Sequence, residues 1–293
     1  MKVLGSKIKD VRERKKMSQQ ELAEEICPYA VIRIIETKNR CDSLNNFIAI
    51  CERLEIKFDE YIEYTVEEKV NFFFDEIEEK CNRLEHKEAY ELMNNFEIEN
   101  VNQDIVTMIK YKYYQGITAL LGAEDFSTAQ VYLYQVMDYG ENVNIYSILS
   151  INALGASYAL TNEMDKAKVY YDKSMVLLER YTGEMEPIAY KAYYNSAKFY
   201  SLLEEYEMSI RICEQAIQLN KKYKTLYYLD LLYYELGFNK YMLNQDGIME
   251  YKISYYLCQV FENKELPKYI IEDSKKYNIP FQVDENGVIK KRL

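Results

Sequence analysis

The stretch that decides the fold runs from Tyr190 to Leu219 and has the sequence YKAYYNSAKFYSLLEEYEMSIRICEQAIQL. Apolar and aromatic residues recur at helical spacing on both sides of a polar turn at Glu204–Tyr206, which predicts two amphipathic helices. Small Ala197 lets the two helices approach closely, and Ser209 recurs at helical spacing on the second helix. Because one hairpin of this kind cannot bury its own apolar face, it requires neighbouring hairpins.

Similar hairpins recur along most of the chain, and Ile151–Leu178 repeats the same pattern of small and aromatic residues. The small or apolar residue that opens each second helix falls at five positions, separated by 40, 38, 42 and 40 residues: Ala89, Ala129, Ala167, Ser209 and Met249. This alternation resembles the tetratricopeptide repeat. The resemblance implies an all-α fold in which about five such repeats form a right-handed α-solenoid, with the first helix of each hairpin on the concave surface.

Composition restricts the class of protein further. The chain has 293 residues, of which 48% are hydrophobic and 29% are charged, so it can form a soluble globular protein of two domains. Only nine Gly and four Pro favour helices joined by short turns over a β-sandwich or barrel. The sequence contains no apolar run of 18 residues and no signal peptide, so we expect a cytoplasmic protein that does not contact the membrane.

Residues suited to catalysis or metal binding do not form a recognisable motif in the sequence. The six cysteines show no paired spacing, and the single histidine, His86, lies in a charged turn without a partner. The sequence also lacks a P-loop and a nucleophile elbow. We therefore expect no enzyme activity, no cofactor and no metal site.

The net charge of −11 conceals a basic N-terminal segment. Residues 1–40 contain ten Lys and Arg residues against six Asp and Glu, whereas residues 64–293 contain 25 against 36. A phosphate backbone responds to the local field of a protein, so the acidic whole-chain balance does not argue against nucleic-acid binding by the first segment.

Residues 1–63 have the pattern of a small helical bundle. Ser18 and Glu21 are spaced as a capping box for a second helix, and Pro28 suits the first turn of a third helix. Two short helices joined by a tight turn describe a helix-turn-helix. The run LGSKIKDVRERKKMSQQELAEEI, together with IRIIE and SLNNFIAICERLEI further on, resembles the Cro/cI or XRE type of helix-turn-helix.

That resemblance implies roles for individual residues of the bundle. Arg12 and Glu36 match an ion pair that ties the first helix to the third, and Gln19 matches a residue that contacts a phosphate. The implied DNA-binding surface comprises Ser18, Gln19, Gln20, Tyr29, Ala30, Arg33 and Lys38. The chain departs from the family pattern at Lys38, where Gly is usual, at Asp42, where Pro is usual, and at Ile34, which is normally polar. A bundle used only for dimerisation is the alternative.

Two asparagines are the candidate ligand contacts in the repeats. Asn152 and Asn195 each lie shortly before a small residue of a first helix, Asn152 three residues before Gly155 and Asn195 two residues before Ala197. An amide both donates and accepts hydrogen bonds, which suits a peptide backbone, but it also suits a bond to a neighbouring helix. Spacing alone leaves both alternatives open.

The order of a helix-turn-helix and degenerate repeats of about 40 residues resembles the RRNPP group of peptide-pheromone receptors in Gram-positive bacteria. LGS and IK near the N-terminus, Ile26–Cys27 and the pattern at Tyr194–Lys198 point to its PlcR-like branch. The resemblance implies that Asn152 and Asn195 hold a short linear signalling peptide. It also implies that the chain is a homodimeric transcription regulator bound to double-stranded operator DNA.

The expected domain organisation follows from these assignments. Residues 1–63 form the DNA-binding domain, residues 64–70 a linker, residues 71–262 the peptide-binding repeats and residues 263–293 a C-terminal cap and tail. Two alternatives are a repeat-type scaffold for protein–protein interaction without a peptide signal and an enzyme-inhibiting interaction protein with a vestigial N-terminal domain.

Overall fold

The computed structural model describes residues 1–96, 104–140 and 144–283. Within these ranges it contains fifteen α-helices and one 3-10 helix, and β-pairing is limited to two isolated bridges. The expected all-α class is therefore confirmed. The chain divides into two compact units, Met1–Glu78 and Glu79–Leu293, whereas the last part of the predicted tail, residues 284–293, lies outside the described residues.

The first unit is a bundle of short helices around one apolar core. Its elements are α1 (Gly5–Arg14), α2 (Gln19–Ala23), α3 (Tyr29–Lys38), α4 (Leu44–Leu54), a 3-10 helix (Phe58–Tyr61) and the start of α5 (Val66–Asn82). Ile8, Leu22, Ile32 and Ile50 are fully buried in this core. The helix-turn-helix pattern is thus present, with the α2–α3 turn between residues 24 and 28.

Side-chain caps fix the ends of these helices. The predicted capping box is confirmed: the Ser18 hydroxyl accepts from the Glu21 N–H at 3.1 Å, and the Glu21 carboxylate accepts from the Ser18 N–H at 2.6 Å. Pro28 directly precedes α3 rather than lying in its first turn. Thr65 and Glu68 form a second reciprocal cap at the start of α5, so the stretch predicted as a linker contains a helix N-terminus.

The second unit is a stack of helical hairpins. Its helices are the end of α5, α6 (His86–Asn94), α7 (Ile105–Gly122), α8 (Phe126–Met137), α9 (Ile145–Leu160), α10 (Met164–Arg180), α11 (Ala189–Leu202), α12 (Tyr206–Tyr223), α13 (Leu229–Met242), α14 (Ile248–Val260) and α15 (Leu266–Lys276). The pairs α7–α8, α9–α10, α11–α12 and α13–α14 pack as hairpins. α15 packs against α14, where Ile270 and Phe281 join a core with Tyr251.

The first helices of successive hairpins form one layer, which we call the first-helix layer (α7, α9, α11 and α13). Each of these helices contacts the next one in the layer, and each second helix contacts the first helix that follows it. Among the described residues, successive second helices make no comparable contact with each other. α9 is buried along most of its length because α7, α8, α10 and α11 all pack against it.

The predicted repeat positions hold in α6 and in the second helices of three hairpins, and shift in the last hairpin. Ala89 of α6 is fully buried, as are Ala129, Ala167 and Ser209 in the second helices, whereas Met249 is 62% exposed. Gly247, two residues earlier, takes the equivalent place. A Cβ on Gly247 would lie 2.2 Å from the carbonyl oxygen of Gly237 in α13, so the backbones touch where the other hairpins place a small side chain.

None of the helices in the described ranges combines the length and the apolarity needed to cross a membrane.

Candidate nucleic-acid and peptide sites

A buried ion pair joins three segments of the first unit. The Arg12 Nε donates to Glu36 Oε1 at 2.6 Å and its Nη2 donates to Glu36 Oε2 at 2.9 Å, which is the bidentate geometry that the two planar groups favour. The Arg12 Nη1 also donates to the Met17 carbonyl at 2.8 Å, in the α1–α2 turn. The predicted ion pair between α1 and α3 is therefore confirmed.

This pair is held in its charged form by its own hydrogen bonds. Burial acts to raise the pKa of Glu36, but the bonds from Arg12 and Gln19 outweigh it and the pKa is lowered. The hydrogen bond to Glu36 likewise raises the pKa of Arg12. With side-chain exposures of 9% and 1%, Arg12 and Glu36 form a buried ion pair that holds α3 against α1.

Gln19 is committed to the same network. Its amide nitrogen donates to Glu36 Oε2 at 2.8 Å, and the residue is half-buried at the start of α2. Its two neighbours in the predicted DNA-binding set, Ser18 and Gln20, are exposed. The Ser18 hydroxyl belongs to the cap of α2, so of these three residues only Gln20 has a side chain outside a helix cap or the Glu36 network.

The outer side of α3 presents the remaining predicted DNA contacts. Tyr29 is 54% exposed, and Ala30, Arg33 and Lys38 are also exposed, whereas Ile32 and Ile35 are fully buried on the opposite side. Neither the Arg33 side chain nor the Lys38 side chain makes an ion pair within the described residues. One side of α3 is thus fixed in the core while the other keeps two cations available.

Arg53 of α4 secures the turn before α3, and the sequence did not single it out. Its Nη1 donates to the carbonyl oxygens of Glu21 at 3.2 Å and Leu22 at 3.4 Å, and also to that of Glu24. These carbonyls end α2, where a cation offsets the helix dipole. Since the contact joins residues about thirty positions apart in sequence, no local sequence pattern predicts it.

In the second unit, Asn152 is buried between α9, α10 and α11. It is 1% exposed, and its amide nitrogen donates to Ser174 Oγ at 3.1 Å and to Ser196 Oγ at 3.0 Å. The same nitrogen lies 3.4 Å from the Ala192 carbonyl oxygen. This is the geometry of a bond between neighbouring helices, the alternative that spacing left open.

Asn195 is attached to this network but remains accessible. Its amide nitrogen donates to Asn152 Oδ1 at 3.3 Å, and the residue is half-buried on α11. The structure therefore brings the two predicted peptide contacts together. Only Asn195 presents its side chain at the surface, whereas Asn152 orients it from beneath.

A separate cavity of about 740 Å³ lies beside α12. It is lined by apolar and aromatic groups such as Tyr193, Ile217 and Tyr233, and by the cations Lys221 and Lys222. No sequence pattern predicted it. Within the described residues, no group of three or more His, Cys, Asp or Glu side chains is arranged to hold a metal ion.

Comparison with known proteins finds the same fold in several solved structures. The chain matches Bacillus thuringiensis PlcR in complex with the peptide PapR7 and DNA at 21% identity, with a TM-score of 0.61 over 92% of this chain and 99% of that chain. It matches the apo form of PlcR at 20% identity and a TM-score of 0.60, over 92% of this chain and 98% of that one.

A second regulator gives a similar result. ComR from S. thermophilus, in complex with DNA and its signalling peptide ComS, matches at 14% identity with a TM-score of 0.53, over 94% of this chain and 100% of that chain. No family model matches the chain, and no curated protein matches it. The chain therefore has the fold of the PlcR and ComR structures along nearly its whole length.

Proposed function

We propose that this chain is a cytoplasmic transcription regulator that binds operator DNA through its helix-turn-helix and is controlled by a short peptide bound to its repeats. The observation that carries the proposal is the fold match to PlcR, which spans 99% of a chain solved with both a peptide and DNA. A match that extends through the helix-turn-helix and the hairpins favours a two-part regulator over a repeat scaffold alone.

The first unit supports the DNA-binding part of the proposal. α3 is anchored by the Arg12–Glu36 pair and by its buried isoleucines, so its outer residues are held in place. An exposed Arg at position 33 suits the O6 and N7 edge of guanine, and Lys38 suits a phosphate. One such bundle covers one half-site, so we propose that the chain acts as a homodimer on two half-sites about 10 base pairs apart.

The second unit supports the peptide-binding part. Asn195 offers an amide on the accessible side of α11, and Asn152 fixes the orientation of that amide. In the proposal, residues 1–63 bind DNA, residues 64–70 connect, residues 71–262 bind peptide and residues 263–293 close the array. Asn195 contacts the peptide backbone directly, and Asn152 supports it.

DNA binding can be tested without knowing the operator. The purified full-length chain is used to select from a random duplex DNA library at fixed salt, and we expect enrichment of sites with two-fold symmetry. Arg33→Ala should weaken binding to the selected site by about 1–3 kcal/mol, because the variant cannot hydrogen-bond to a base edge. Lys57→Ala, an equal loss of charge at an exposed site away from α3, is the matched control and should change affinity little.

Two outcomes would contradict the DNA-binding proposal. Selection that enriches no sequence would exclude specific recognition by the first unit. Equal affinities for the wild type and the Arg33→Ala variant on the selected site would remove α3 from the interface.

A further inference from the structure

The charges of the first-helix layer have one sign over three successive helices. α7, α9 and α11 contain no Asp or Glu, and α9 contains no charged residue at all. Their charged residues are four lysines: Lys110, Lys112, Lys191 and Lys198. Because the chain as a whole has 48 acidic residues against 37 basic ones, these three helices depart from the rest of the protein.

Two of these lysines lie beside Asn195 on the accessible side of α11. Lys191, Asn195, Lys198 and Leu202 are spaced by four, three and four residues, so they share one side of the helix. Lys191 and Asn195 are half-buried, and Lys198 and Leu202 are exposed. The opposite side of α11 is packed against its neighbours through Tyr190, Ala192, Tyr193, Ser196, Ala197 and Tyr200. We call the accessible set the α11 lysine face.

The positive field of this face extends to its surroundings. Lys110 of α7 lies over the Tyr146 ring of α9 at 5.2 Å from the ring centre. His86 at the start of α6 has a lowered pKa, first because it is buried and second because it lies near the charge of Lys191. The Lys191 ammonium therefore contributes a positive potential at His86 of α6.

The acidic group near Lys198 is a weak counter-charge. Glu235 of α13 is 5% exposed, and burial raises its pKa to about 7 although Lys198 acts to lower it. Near neutral pH this carboxyl is therefore protonated for much of the time. Lys198 makes no ion pair with any of the residues that the structure describes.

We propose that the α11 lysine face binds carboxylate groups of an acidic linear peptide, with Lys191 and Lys198 as its anion contacts on either side of Asn195. This inference rests on the proposed function, because it names the chemical class of the ligand for the same site. The Asn195 amide holds the peptide backbone, and the two ammonium groups select Asp, Glu or the terminal carboxylate. Leu202 offers an apolar contact at the end of the face.

The surroundings favour a peptide over a nucleic acid as the anionic ligand. A phosphate backbone carries regularly spaced charges and is met by an extended basic surface. Here the cations are few, and the neighbouring helix α9 offers only uncharged side chains. Two cations combined with an amide and an apolar residue match a short peptide that carries one or two carboxylates.

The test uses a synthetic pool of random heptapeptides. The full-length chain is incubated with the pool, and the bound peptides are identified by affinity-selection mass spectrometry. We expect the bound fraction to be enriched in Asp and Glu. For a selected acidic peptide, Lys191→Glu/Lys198→Glu should weaken binding at least about tenfold for each charge-assisted hydrogen bond that it removes, and affinity should fall as NaCl is raised.

The matched control is Lys221→Glu/Lys222→Glu on α12, which makes the same charge change on two exposed lysines that line the 740 Å³ cavity. Unchanged peptide affinity in this variant supports the α11 lysine face. A larger loss in the control than in the α11 variant would move the ligand to that cavity and overturn the inference.

The remaining outcomes separate this inference from the proposed function. Enrichment of neutral or cationic peptides would overturn the charge selection while leaving a peptide-binding regulator in place. Acidic peptides that bind the Lys191→Glu/Lys198→Glu variant as tightly as the wild type would do the same. A pool from which no peptide is retained would overturn both the inference and the peptide part of the proposed function.

Discussion

Arg12 joins three segments of the first unit through a single guanidinium group. It makes two bonds to Glu36 in α3 and one to the Met17 carbonyl, and Gln19 donates to the same carboxylate. A carboxylate with three donors is well satisfied even when buried. Because Glu36 is buried, the loss of any one of these three donors removes a partner that water could not replace.

Arg12→Leu should therefore destabilise the first unit by about 3–5 kcal/mol, because it leaves the Glu36 charge buried without its counter-ion. Arg12→Leu/Glu36→Leu should recover most of that loss, since both charges are then gone. Arg14→Leu, an exposed Arg on the same helix, is the control and should change stability by less than about 0.5 kcal/mol. Urea unfolding followed by circular dichroism and hydrogen exchange of α1–α3 measures all three.

The same pair gives a pH dependence of known sign. The pKa of Glu36 is lower in the folded chain than its usual value of 4.5, so its stabilising contribution is present above that pH. It is lost as pH falls through the folded pKa. Without Arg12 the buried Glu36 carboxyl has a raised pKa, so the stability advantage of the wild type over the Arg12→Leu variant should shrink as the pH falls from neutral and on through the lowered pKa of Glu36 in the wild type. A gap that stays constant with pH would contradict an ionised Glu36.

Asn152 and Asn195 should respond differently to truncation. Asn152→Ala removes the hydrogen bonds that Asn152 makes to the buried hydroxyls of Ser174 and Ser196 and should cost about 1–3 kcal/mol of stability. Asn195→Ala removes a single bond of 3.3 Å to Asn152 Oδ1 and should therefore lower the melting temperature less than Asn152→Ala does. In the proposed function it should nevertheless lower peptide affinity about tenfold to a hundredfold.

Melting temperature and peptide affinity, measured together on each variant, separate these roles. Asn94→Ala, an exposed amide at the end of α6, is the control for both measurements. An Asn195→Ala variant that melts early and binds a selected peptide normally would make Asn195 a structural residue and remove it from the peptide site.

At this scale the sequence predicted side chains with a local or family signal and missed those without one. Ser18 and Glu21 were found because a capping box has fixed spacing, and Arg12 and Glu36 were found by resemblance. Arg53 was missed because its partners lie about thirty residues away along the chain. The partners of Asn152 lie on two other helices, so only the fold brings them together.

At the scale of elements, close approach of paired helices is achieved by small residues at the crossing. A Cβ on Gly155 would lie 2.9 Å from the Tyr171 ring, and one on Gly237 would lie 2.9 Å from the Tyr251 ring. A ring can shift by a few tenths of an ångström. At Gly247 the nearest atom is backbone, so the α13–α14 crossing has no such freedom.

Gly247→Ala should consequently destabilise the end of the array by about 1–3 kcal/mol or more, because its Cβ would force α13 and α14 apart. Gly183→Ala is the matched control, since the atoms that its Cβ would meet belong to the side chain of Tyr181, which can rotate away. Urea unfolding of both variants tests the difference. A Gly247→Ala variant as stable as the control would show that the crossing can relax.

The position of this crossing explains a limit of sequence reasoning. The period of about 40 residues located α6 and the second helices of the four hairpins, because small residues recur where helices touch. In the last hairpin, however, Asp246 and Gly247 have the composition of a turn, so the period pointed to Met249, two residues after Gly247. A glycine used for close packing and a glycine used for a turn look alike in a single sequence.

At the scale of the whole molecule, the distribution of charged residues among the segments is more informative than the net charge. The net charge of −11 is negative, yet lysines are the only charged residues of α7 and α11, and α9 between them carries no charge. The sequence showed a basic N-terminal segment because that segment is continuous. It did not show that α7, α9 and α11 lack acidic residues as a group. Along the chain these helices are separated by α8, which carries no charge, and by α10, which carries acidic residues. Only the packing order brings them side by side.

The uncharged helix α9 also bears on how the array comes apart. Thirteen of its 16 residues are buried, so it lacks the polar stripe that a helix facing solvent has. In a linear array, stability is a sum of nearest-neighbour interfaces, and loss of order begins at the ends. α9 has neighbours on both sides and lacks a polar side that could face water. The hairpins that flank it are therefore the last to open, and fraying proceeds inward from α15 at one end and from α6 at the other.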